Sequence, residues 1–275
     1  MKKRIVTTTS VFEPGYPAGK AAERLKRLGF EALDMALDYW KIAENSPFMG
    51  EGYLQWAAEQ RAQAEAAGIS YTHAHAPGEA VNNPHIGRSI ETAGALGAKY
   101  LVLHPMGRRP DDTIIEDREE FIRVNAEAVR PWLELAQRCG VVILSENLLG
   151  GASADPKVIA DLVQEVRSPW FGWCFDTGHA NCFGYGGEVL KACSVPPLSL
   201  HIQDNHGTMR DEHLIPGDGT VNWKAFLQSL REVGYAGDCV LEAHHQSLEA
   251  PDAERDAILT RLLQAAQELR NDMEA

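Results

Sequence analysis

Eight short apolar segments, separated by longer amphipathic ones, recur along the 275 residues and constrain the fold more than any other feature. Such alternation is typical of successive βα units that share a parallel sheet. Eight units fit an α/β fold, the single (β/α)8 or TIM barrel with parallel strands, which takes about 250 residues. No linker or low-complexity stretch interrupts the pattern, so we expect one domain over residues 1–275. The predicted strands lie near residues 4–9, 31–36, 69–75, 99–104, 141–146, 171–176, 198–203 and 238–243.

Amphipathic helical patterns fill the intervals between these segments. Asp155 followed by Pro156 is a typical helix start, and Pro131 should kink or restart the fourth helix because proline donates no backbone hydrogen bond. The loops that follow strands, above all 37–52 and 204–221, are longer than those that precede them. In a barrel such loops build the functional face. The predicted helices lie near residues 18–28, 53–67, 85–96, 117–138, 155–166, 186–192, 222–233 and 252–271.

The charge balance restricts the class of partner. The chain has 26 Lys and Arg against 39 Asp and Glu, a net charge of −13. This charge disfavours nucleic acid and anionic membranes, so we expect a small-molecule partner. The amino-terminal segment lacks the apolar core of a signal peptide, and no stretch approaches the roughly 20 apolar residues of a membrane span. Five cysteines without a CxxC pair fit free thiols, which predicts a cytoplasmic protein, with homo-oligomerisation left open.

Metal-capable side chains stand at or near the ends of six predicted strands. Because the carboxyl ends of parallel barrel strands meet at one mouth, ligands that are distant in sequence can gather around one ion. Three carboxylates and one imidazole from four separate strands suit Mn²⁺, Mg²⁺, Co²⁺ or Zn²⁺. We therefore predict one divalent metal ion bound by Glu146, Asp176, His201 and Glu242. The complete series of strand-end residues is His75, His104, Glu146, Asp176, His179, His201 and Glu242.

Several strings in this series resemble the xylose isomerase-like TIM-barrel superfamily, particularly its sugar phosphate isomerase/epimerase branch. They are SEN at 145–147, CFDTGH at 174–179, HIQD at 201–204, DEHLIPGDGTVNW at 211–223 and LEAH at 241–244. The resemblance implies that the same four residues bind one divalent metal. It further implies that Glu146 and Glu242 move a proton next to a carbonyl through a metal-stabilised enediolate, and that His179 contacts the substrate.

The resemblance extends to endonuclease IV, a DNA-repair member of the superfamily that binds three zinc ions. His75, His104, Asp211 and His213 stand where its additional ligands are expected, and in sugar-acting relatives such histidines can instead orient substrate. Related ketose 3-epimerases carry an arginine six residues after the metal histidine. This chain has Gly207 there, so membership in that subgroup requires Arg210 to take its place.

We interpret the chain as a divalent-metal-dependent isomerase or epimerase of a sugar or polyol-derived ketone, phosphorylated or not. The first alternative is an endonuclease IV-like, zinc-dependent enzyme cutting at abasic sites, with three Zn²⁺. Further alternatives are an inosose dehydratase-type lyase and a barrel that binds carbohydrate without turnover. The GDG at 217–219 is either a phosphate-binding loop or a tight turn. An apolar wall for a polyol, or else ordinary loop packing, is expected from Tyr39, Trp40, Phe48 and Met49.

Overall fold

Eight parallel strands form the centre of the protein, as the alternating pattern predicts. The structure is a computed structural model that describes residues 2–42 and 45–274. Strands follow one another around the sheet in the order β7-β6-β5-β4-β3-β2-β1-β8, and every ladder is parallel. Their bounds are β1 Ile5–Thr8, β2 Ala32–Ala36, β3 Tyr71–Ala80, β4 Tyr100–His104, β5 Val142–Glu146, β6 Phe171–Asp176, β7 Ser199–His201 and β8 Cys239–Leu241.

The barrel closes between its two shortest strands, β7 and β8. A single parallel bridge pairs Ile202 with Leu241 just beyond the end of β7. The Ile202 amide donates to the carbonyl of Val240 at 2.8 Å, and the Glu242 amide donates to the carbonyl of Ile202 at 3.0 Å. These bonds complete a (β/α)8 barrel and confirm the predicted fold class.

Helices occupy every predicted helical interval, and the described loops after strands hold three further α-helices and two further 3-10 helices, Thr9–Val11 and Gly151–Ala154. Pro131 lies in a 3-10 turn, Arg130–Trp132, that separates α5 from α6, so the predicted interruption is confirmed. The segment predicted as a helix near 186–192 is a 3-10 helix, Gly187–Ala192. No helix among the described residues is long and apolar enough to cross a membrane. The α-helices are α1 Ala18–Leu28, α2 Leu37–Ile42, α3 Tyr53–Ala66, α4 Ile86–Leu96, α5 Arg118–Val129, α6 Leu133–Cys139, α7 Pro156–Val166, α8 Thr177–Cys182, α9 Trp223–Glu232, α10 His245–Glu249 and α11 Asp252–Glu274.

Local signals explain where the helices begin. The carboxylate of Asp155 accepts from the Lys157 amide at the start of α7, and the side chain of Asn222 accepts from the Ala225 amide at the start of α9. Each cap satisfies a backbone donor that has no partner inside the helix and contributes about 1 kcal/mol. Along α9, Phe226 and Leu230 are buried against the barrel, as a helical apolar stripe requires.

The strands divide their side chains between two environments. On β2, Leu33 and Met35 join the large apolar core between strands and helices. Ala32 packs with Val6 and Val240 in a small apolar cluster inside the barrel. Towards the carboxyl ends the inward-facing residues change from apolar to charged and imidazole side chains. The apolar cluster inside the barrel therefore packs the strands together, and the side chains that can bind ligands lie at the carboxyl ends of the strands.

Candidate metal centre

A cavity of about 270 Å³ opens at the carboxyl ends of the strands. Its wall contains four carboxylates, six imidazoles and one phenol, and no lysine or arginine is among the described residues that form it. Such a wall is strongly acidic unless cations or protons enter it. The titratable residues lining it are Asp38, Tyr39, His75, His104, Glu146, His179, Asp211, His213, Glu242, His244 and His245.

The four residues predicted as metal ligands come together at the floor of this cavity. One ligand atom from each of Glu146, Asp176, His201 and Glu242 lies within 4.8 Å of the others. The Nδ1 atom of His201 is 2.7 Å from Oε1 of Glu146 and 3.2 Å from Oε2 of Glu242. Each residue comes from a different strand end, because parallel strands deliver their last side chains to one mouth. Their role as metal ligands remains a prediction.

The remaining metal-capable residues form two neighbouring groups. In the first, Nε2 of His75 and Nε2 of His104 each lie 3.5 Å from Oε2 of Glu146. In the second, Oδ1 of Asp211 lies 2.9 Å from Nε2 of His213 and 3.3 Å from Nε2 of His179. A further combination joins residues of the first group and the four-residue set: His75, His201 and Glu242.

Backbone carbonyl groups fix four of these imidazoles in one orientation. The Nδ1 atom faces a carbonyl oxygen at 2.7 Å in His75 and His213, at 2.8 Å in His179 and at 3.3 Å in His104. Because a carbonyl oxygen only accepts, Nδ1 must carry the hydrogen, and the Nε2 lone pair is then available to a ligand when the imidazole is neutral. Histidines that bind metals show this arrangement. The accepting carbonyls belong to Ala76, Glu242, Asn147 and Gly78.

The donor set fits a divalent metal ion. Oε2 of Glu146 is buried and has no hydrogen-bond partner, yet two imidazole nitrogens face it at 3.5 Å. A buried carboxylate oxygen that stands opposite bare imidazole nitrogens is costly unless a cation or protons lie between them. Carboxylate oxygens with imidazole nitrogens suit Zn²⁺, Co²⁺ and Mn²⁺, and the carboxylate-rich set of four also suits Mg²⁺.

In the metal-free protein, protons compensate the carboxylates. Burial lowers the pKa of His75, but Glu146 and Glu242 more than offset this and raise it to about 9. Burial also lowers the pKa of His213. The neighbouring Asp211 carboxylate outweighs this effect and raises the pKa to about 9. Burial raises the pKa of Glu242, but the charge on His201 lowers it to about 2. A metal ion that binds here therefore has to replace protons on the imidazoles.

Two amides that support the site lie inside the quoted strings but were not predicted as functional. Oδ1 of Asn147 accepts from the Asp176 amide at 2.9 Å, and its Nδ2 donates to the Asp176 carbonyl at 3.0 Å. The Nε2 group of Gln203 donates to Asp176 at 3.3 Å and to Asp211 at 3.1 Å. Both amides are fully buried; Asn147 fixes the backbone of Asp176, and Gln203 fixes the carboxylates of Asp176 and Asp211, which belong to two different ligand groups. The signal was their position one or two residues after a strand-end ligand.

Asp204 organises the loop that carries Asp211 and His213. Its carboxylate accepts from the Gly217 amide at 2.8 Å, the Val221 amide at 3.0 Å and the Trp223 indole at 3.0 Å. A side chain at position 219 would collide with the carbonyl of Asn205 and with Asp204, which explains the second glycine of GDG. These contacts favour the tight-turn interpretation of GDG over a phosphate-binding loop.

The predicted apolar wall is only partly present. Tyr39 lines the cavity, but Trp40 packs on Trp56 with ring centroids 5.0 Å apart, and Phe48 is buried against the same indole at 6.5 Å. Met49 is 37% exposed on the surface. For Trp40 and Phe48, ordinary loop packing is therefore the correct interpretation.

Arg210 does not reach the cavity. Its side chain is exposed, and it is not among the residues that form the cavity wall. The other two arginines of the mouth loops are also engaged elsewhere, because Arg108 pairs with Asp112 and Arg109 pairs with Glu120. No arginine thus takes the position that Gly207 leaves without a side chain, and the requirement for a ketose 3-epimerase pattern is not met.

A second wall, of which sequence analysis predicted only Tyr39, stands beside the ligand groups. It consists of Asp38, Tyr39, His244 and His245, and all four line the cavity. The Nδ1 atom of His244 faces the Glu242 carbonyl at 3.0 Å, and its ring lies 4.3 Å from that of His213. Burial lowers the pKa of His244 to about 3 and raises that of Tyr39 to about 12. Both groups are therefore neutral hydrogen-bonding partners at ordinary pH.

A protein-family comparison agrees with this architecture. A family model described as "Xylose isomerase-like TIM barrel" matches residues 22–269. The match includes every residue of the three ligand groups and of the second wall.

Relatives with names of different classes match about half of the chain. An "Inosose isomerase" from Bacillus velezensis is 28% identical over 155 residues, 53% of this chain and 54% of the relative. A "Probable endonuclease 4" from Mesomycoplasma hyopneumoniae is 28% identical over 167 residues, 55% of this chain and 56% of the relative. The chain thus spans about half the length of these relatives.

Solved structures match over nearly the whole length. A D-tagatose 3-epimerase-like protein is 21% identical with a TM-score of 0.71, covering 99% of this chain and all of the other. The IOLI protein, whose crystal structure contains a bound zinc atom, is 18% identical with a TM-score of 0.72, covering 98% of this chain and 97% of the other. At these identities the likeness establishes the fold.

Proposed function

The chain belongs to the xylose isomerase-like TIM barrel family, and from that premise we propose that it is a divalent-metal-dependent isomerase or epimerase of a sugar or polyol-derived ketone. The observation that carries the proposal is the convergence of Glu146, Asp176, His201 and Glu242 within 4.8 Å. Relatives named as an inosose isomerase and a sugar epimerase-like protein support the same reaction class.

The same four residues would hold the metal, as Mn²⁺, Co²⁺, Mg²⁺ or Zn²⁺. When bound there, a divalent metal supplies a Lewis acid that stabilises negative charge developing on substrate oxygens. The zinc atom bound in the crystal structure of the IOLI protein supports metal binding in this fold. Asn147 and Gln203 keep the Asp176 carboxylate in place for it.

The protein's own residues would transfer the proton. Glu146 and Glu242 line the cavity from β5 and from the end of β8, so they can approach a bound ketone from different sides. The charge on His201 lowers the pKa of both carboxyl groups against the effect of burial, which keeps them ionised as bases. One takes the proton from the carbon beside the carbonyl, and the other returns a proton. His179, whose Nδ1 is fixed by the Asn147 carbonyl, binds a substrate oxygen.

The cavity supports a substrate without phosphate. A phosphate group is usually bound by Lys, Arg or a cluster of backbone amides. Among the described residues the cavity wall offers no lysine or arginine, and the Gly217 and Asp218 amides of GDG are taken by Asp204 and by the Ile215 carbonyl. A neutral polyol needs only hydroxyl partners, which Asp38, Tyr39 and His244 provide.

Solvent exchange tests the proposal. We expect the Mn²⁺-loaded protein to exchange deuterium from D2O into the carbon beside the carbonyl of at least one of D-tagatose, D-fructose, D-allulose or an inosose. Glu146→Gln and Glu242→Gln should abolish exchange, and Glu116→Gln, at an exposed acid of the loop after β4, should not. Full exchange in both site variants would contradict the acid and base assignment.

Product analysis separates the neighbouring reaction types. A recovered isomer or epimer supports the proposal, and loss of water from an inosose identifies a dehydratase-type lyase. Binding of a sugar without exchange would mean that the barrel binds carbohydrate without turning it over.

A zinc-dependent abasic-site endonuclease is the second candidate, because the nine metal-capable residues form three groups rather than one. The partial match to a probable endonuclease 4 supports it. The net charge of −13 and the lack of cationic side chains in the described cavity wall oppose it. Three zinc ions per chain together with cleavage of abasic DNA would establish this candidate, and one metal ion without cleavage would eliminate it.

A cytoplasmic location is proposed on the basis of the cysteines. All five are free thiols, as a reducing compartment requires. Reaction with a thiol reagent before and after reduction should give the same five thiols per chain.

A further inference from the structure

An unpartnered carboxylate lies inside the barrel below the metal centre. Asp34 is 1% exposed, and neither of its side-chain oxygens has a hydrogen-bond partner. It stands between Ala32, which packs in the inner cluster, and Ala36, which lines the cavity. Because side chains alternate along a strand, Asp34 also points towards the barrel axis. A buried carboxylate without a donor is costly, so its presence requires an explanation.

An unpartnered imidazole nitrogen faces the same interior. Nδ1 of His201 is directed at Glu146 and Glu242, whereas its Nε2 is buried and has no hydrogen-bond partner. A histidine that binds a metal through Nδ1 carries its hydrogen on Nε2, and that hydrogen needs an acceptor. The two oxygens of Asp34 are acceptors that receive no hydrogen bond. The Nε2 hydrogen of a metal-bound His201 would be a donor that has no acceptor.

Several other polar groups inside the barrel already have partners. His73 contacts the Thr72 hydroxyl at 2.9 Å through Nδ1 and the Ser199 hydroxyl at 3.0 Å through Nε2. The Thr8 hydroxyl contacts that of Ser10 at 2.8 Å. Apart from the ligands themselves, the buried acceptors among the described residues that have no partner near the ligand groups are then the oxygens of Asp34 and Oε1 of Gln203, whose Nε2 group is already held by Asp176 and Asp211.

Electrostatics are consistent with this pairing. Burial raises the pKa of Asp34 to about 6, and His201 makes the largest opposing contribution among the surrounding charges. The thiol of Cys174 also lies close enough to His201 to help raise the pKa of the imidazole against burial. A thiol is a weak acceptor compared with a carboxylate, so Cys174 is the competing partner that a test has to include.

We propose that Asp34 is a positioning residue whose carboxylate holds the Nε2 hydrogen of His201 through one buried water, and so aims Nδ1 at the metal. This inference rests on the metal site of the proposed function. It adds a partner from β2 to a centre whose ligands come from the ends of β5, β6, β7 and β8. Outer partners of this kind typically contribute about 10- to 100-fold to metal affinity.

Cobalt titration of the metal-free protein tests this role without any substrate. We expect Asp34→Asn to weaken Co²⁺ binding about 10- to 100-fold and to shift the visible absorption bands of bound Co²⁺. The thermal midpoint of the metal-free variant should not fall, because the substitution removes a buried charge that makes no direct hydrogen bond there. Cys174→Ala, the matched change beside His201, should keep Co²⁺ affinity within about threefold.

Three results would overturn the role of Asp34. They are unchanged Co²⁺ affinity in D34N, a loss of affinity that parallels a lower midpoint of the metal-free variant, and a loss in C174A but not in D34N. If D34N does not fold, Asp34→Ser takes its place under the same criteria. Failure of the proposed function is separate, because it would appear as weak Co²⁺ binding or absent exchange in the unaltered protein.

Discussion

Nδ1 of His201 lies 2.7 Å from Oε1 of Glu146, and both side chains are shielded from solvent. A carboxylate only accepts, so in the metal-free protein this imidazole nitrogen must carry a proton. The pKa of His201 is accordingly raised well above its ordinary value by the neighbouring thiol and carboxylates, although burial alone would lower it. A proton and a metal ion would therefore compete for Nδ1 of His201.

Metal affinity should rise with pH. In the metal-free protein the pKa values of His75 and His213 are about 9, so below that pH a metal ion must displace their protons. We expect the association constant for Zn²⁺ or Co²⁺ to increase between pH 6.5 and 9, by about tenfold per pH unit for each proton displaced. Calorimetric titrations in buffers of different ionisation enthalpy would count those protons. Affinity that does not change over this range would contradict the proton competition.

Removing the amide of Asn147 should weaken metal binding. Asn147→Ala leaves the Asp176 amide and carbonyl without their partners inside the barrel, which costs about 1–3 kcal/mol of stability and frees the carboxylate to turn. We expect metal affinity to fall about 10-fold or more. Asn222→Ala is the matched control, since it removes a helix cap and costs about 1 kcal/mol without touching the site. Equal affinities in the two variants would show that Asn147 has only a structural role.

Loss of Asp204 should affect one ligand group selectively. Asp204→Ala leaves four donors without an acceptor, the amides of Asn205, Gly217 and Val221 and the Trp223 indole, and releases the turn behind Asp211 and His213. We expect a loss of stability on the order of 3 kcal/mol. The ion proposed for the set built around Glu146 should keep its affinity, whereas any second ion at His179, Asp211 and His213 should be bound more weakly. Metal counts after dialysis against graded chelator would detect this, and uniform loss from every group would contradict a local effect.

Strand geometry explains which parts of the site the sequence could predict. Glu146, Asp176 and His201 end neighbouring parallel strands, so their meeting follows from the fold alone. The ring nitrogen that each imidazole presents depends on the carbonyl beside it, for example Asn147 for His179, and no pattern contains that information. Asp38 and His244 of the second wall escaped prediction because Asp38 lies on α2, a short helix in the connection after β2, and His244 lies in the loop after β8, where the backbone path decides the direction of a side chain.

The other residues whose positions the sequence did not predict are Trp40, Phe48 and Asp34, and packing in the folded protein decides where they lie. Trp40 and Phe48 pack against a third aromatic ring, that of Trp56 on α3, and do not line the cavity. Burial of aromatic surface stabilises such a contact, and only the folded loop reveals that the partner is within reach. Asp34 was visible as a polar residue in an alternating strand, ALDMA, but its inward face becomes evident only once Ala32 and Ala36 are placed.

The second wall should govern substrate affinity more than turnover. Tyr39 keeps its hydroxyl proton because burial raises its pKa to about 12, and burial leaves His244 neutral with a pKa of about 3, so both can bind substrate hydroxyls without a change of charge. Tyr39→Phe and His244→Ala should each raise KM about 3- to 10-fold, the loss of one hydrogen bond, with kcat within about twofold. The measurement uses whichever ketose shows solvent exchange with the unaltered protein. Tyr16→Phe, at a ring stacked on Phe12 outside the cavity wall, is the matched control and should leave both constants unchanged. A fall in kcat at constant KM would instead place the second wall at the reacting carbon. Only the loss of an interaction formed in the transition state lowers turnover and leaves the affinity for substrate unchanged.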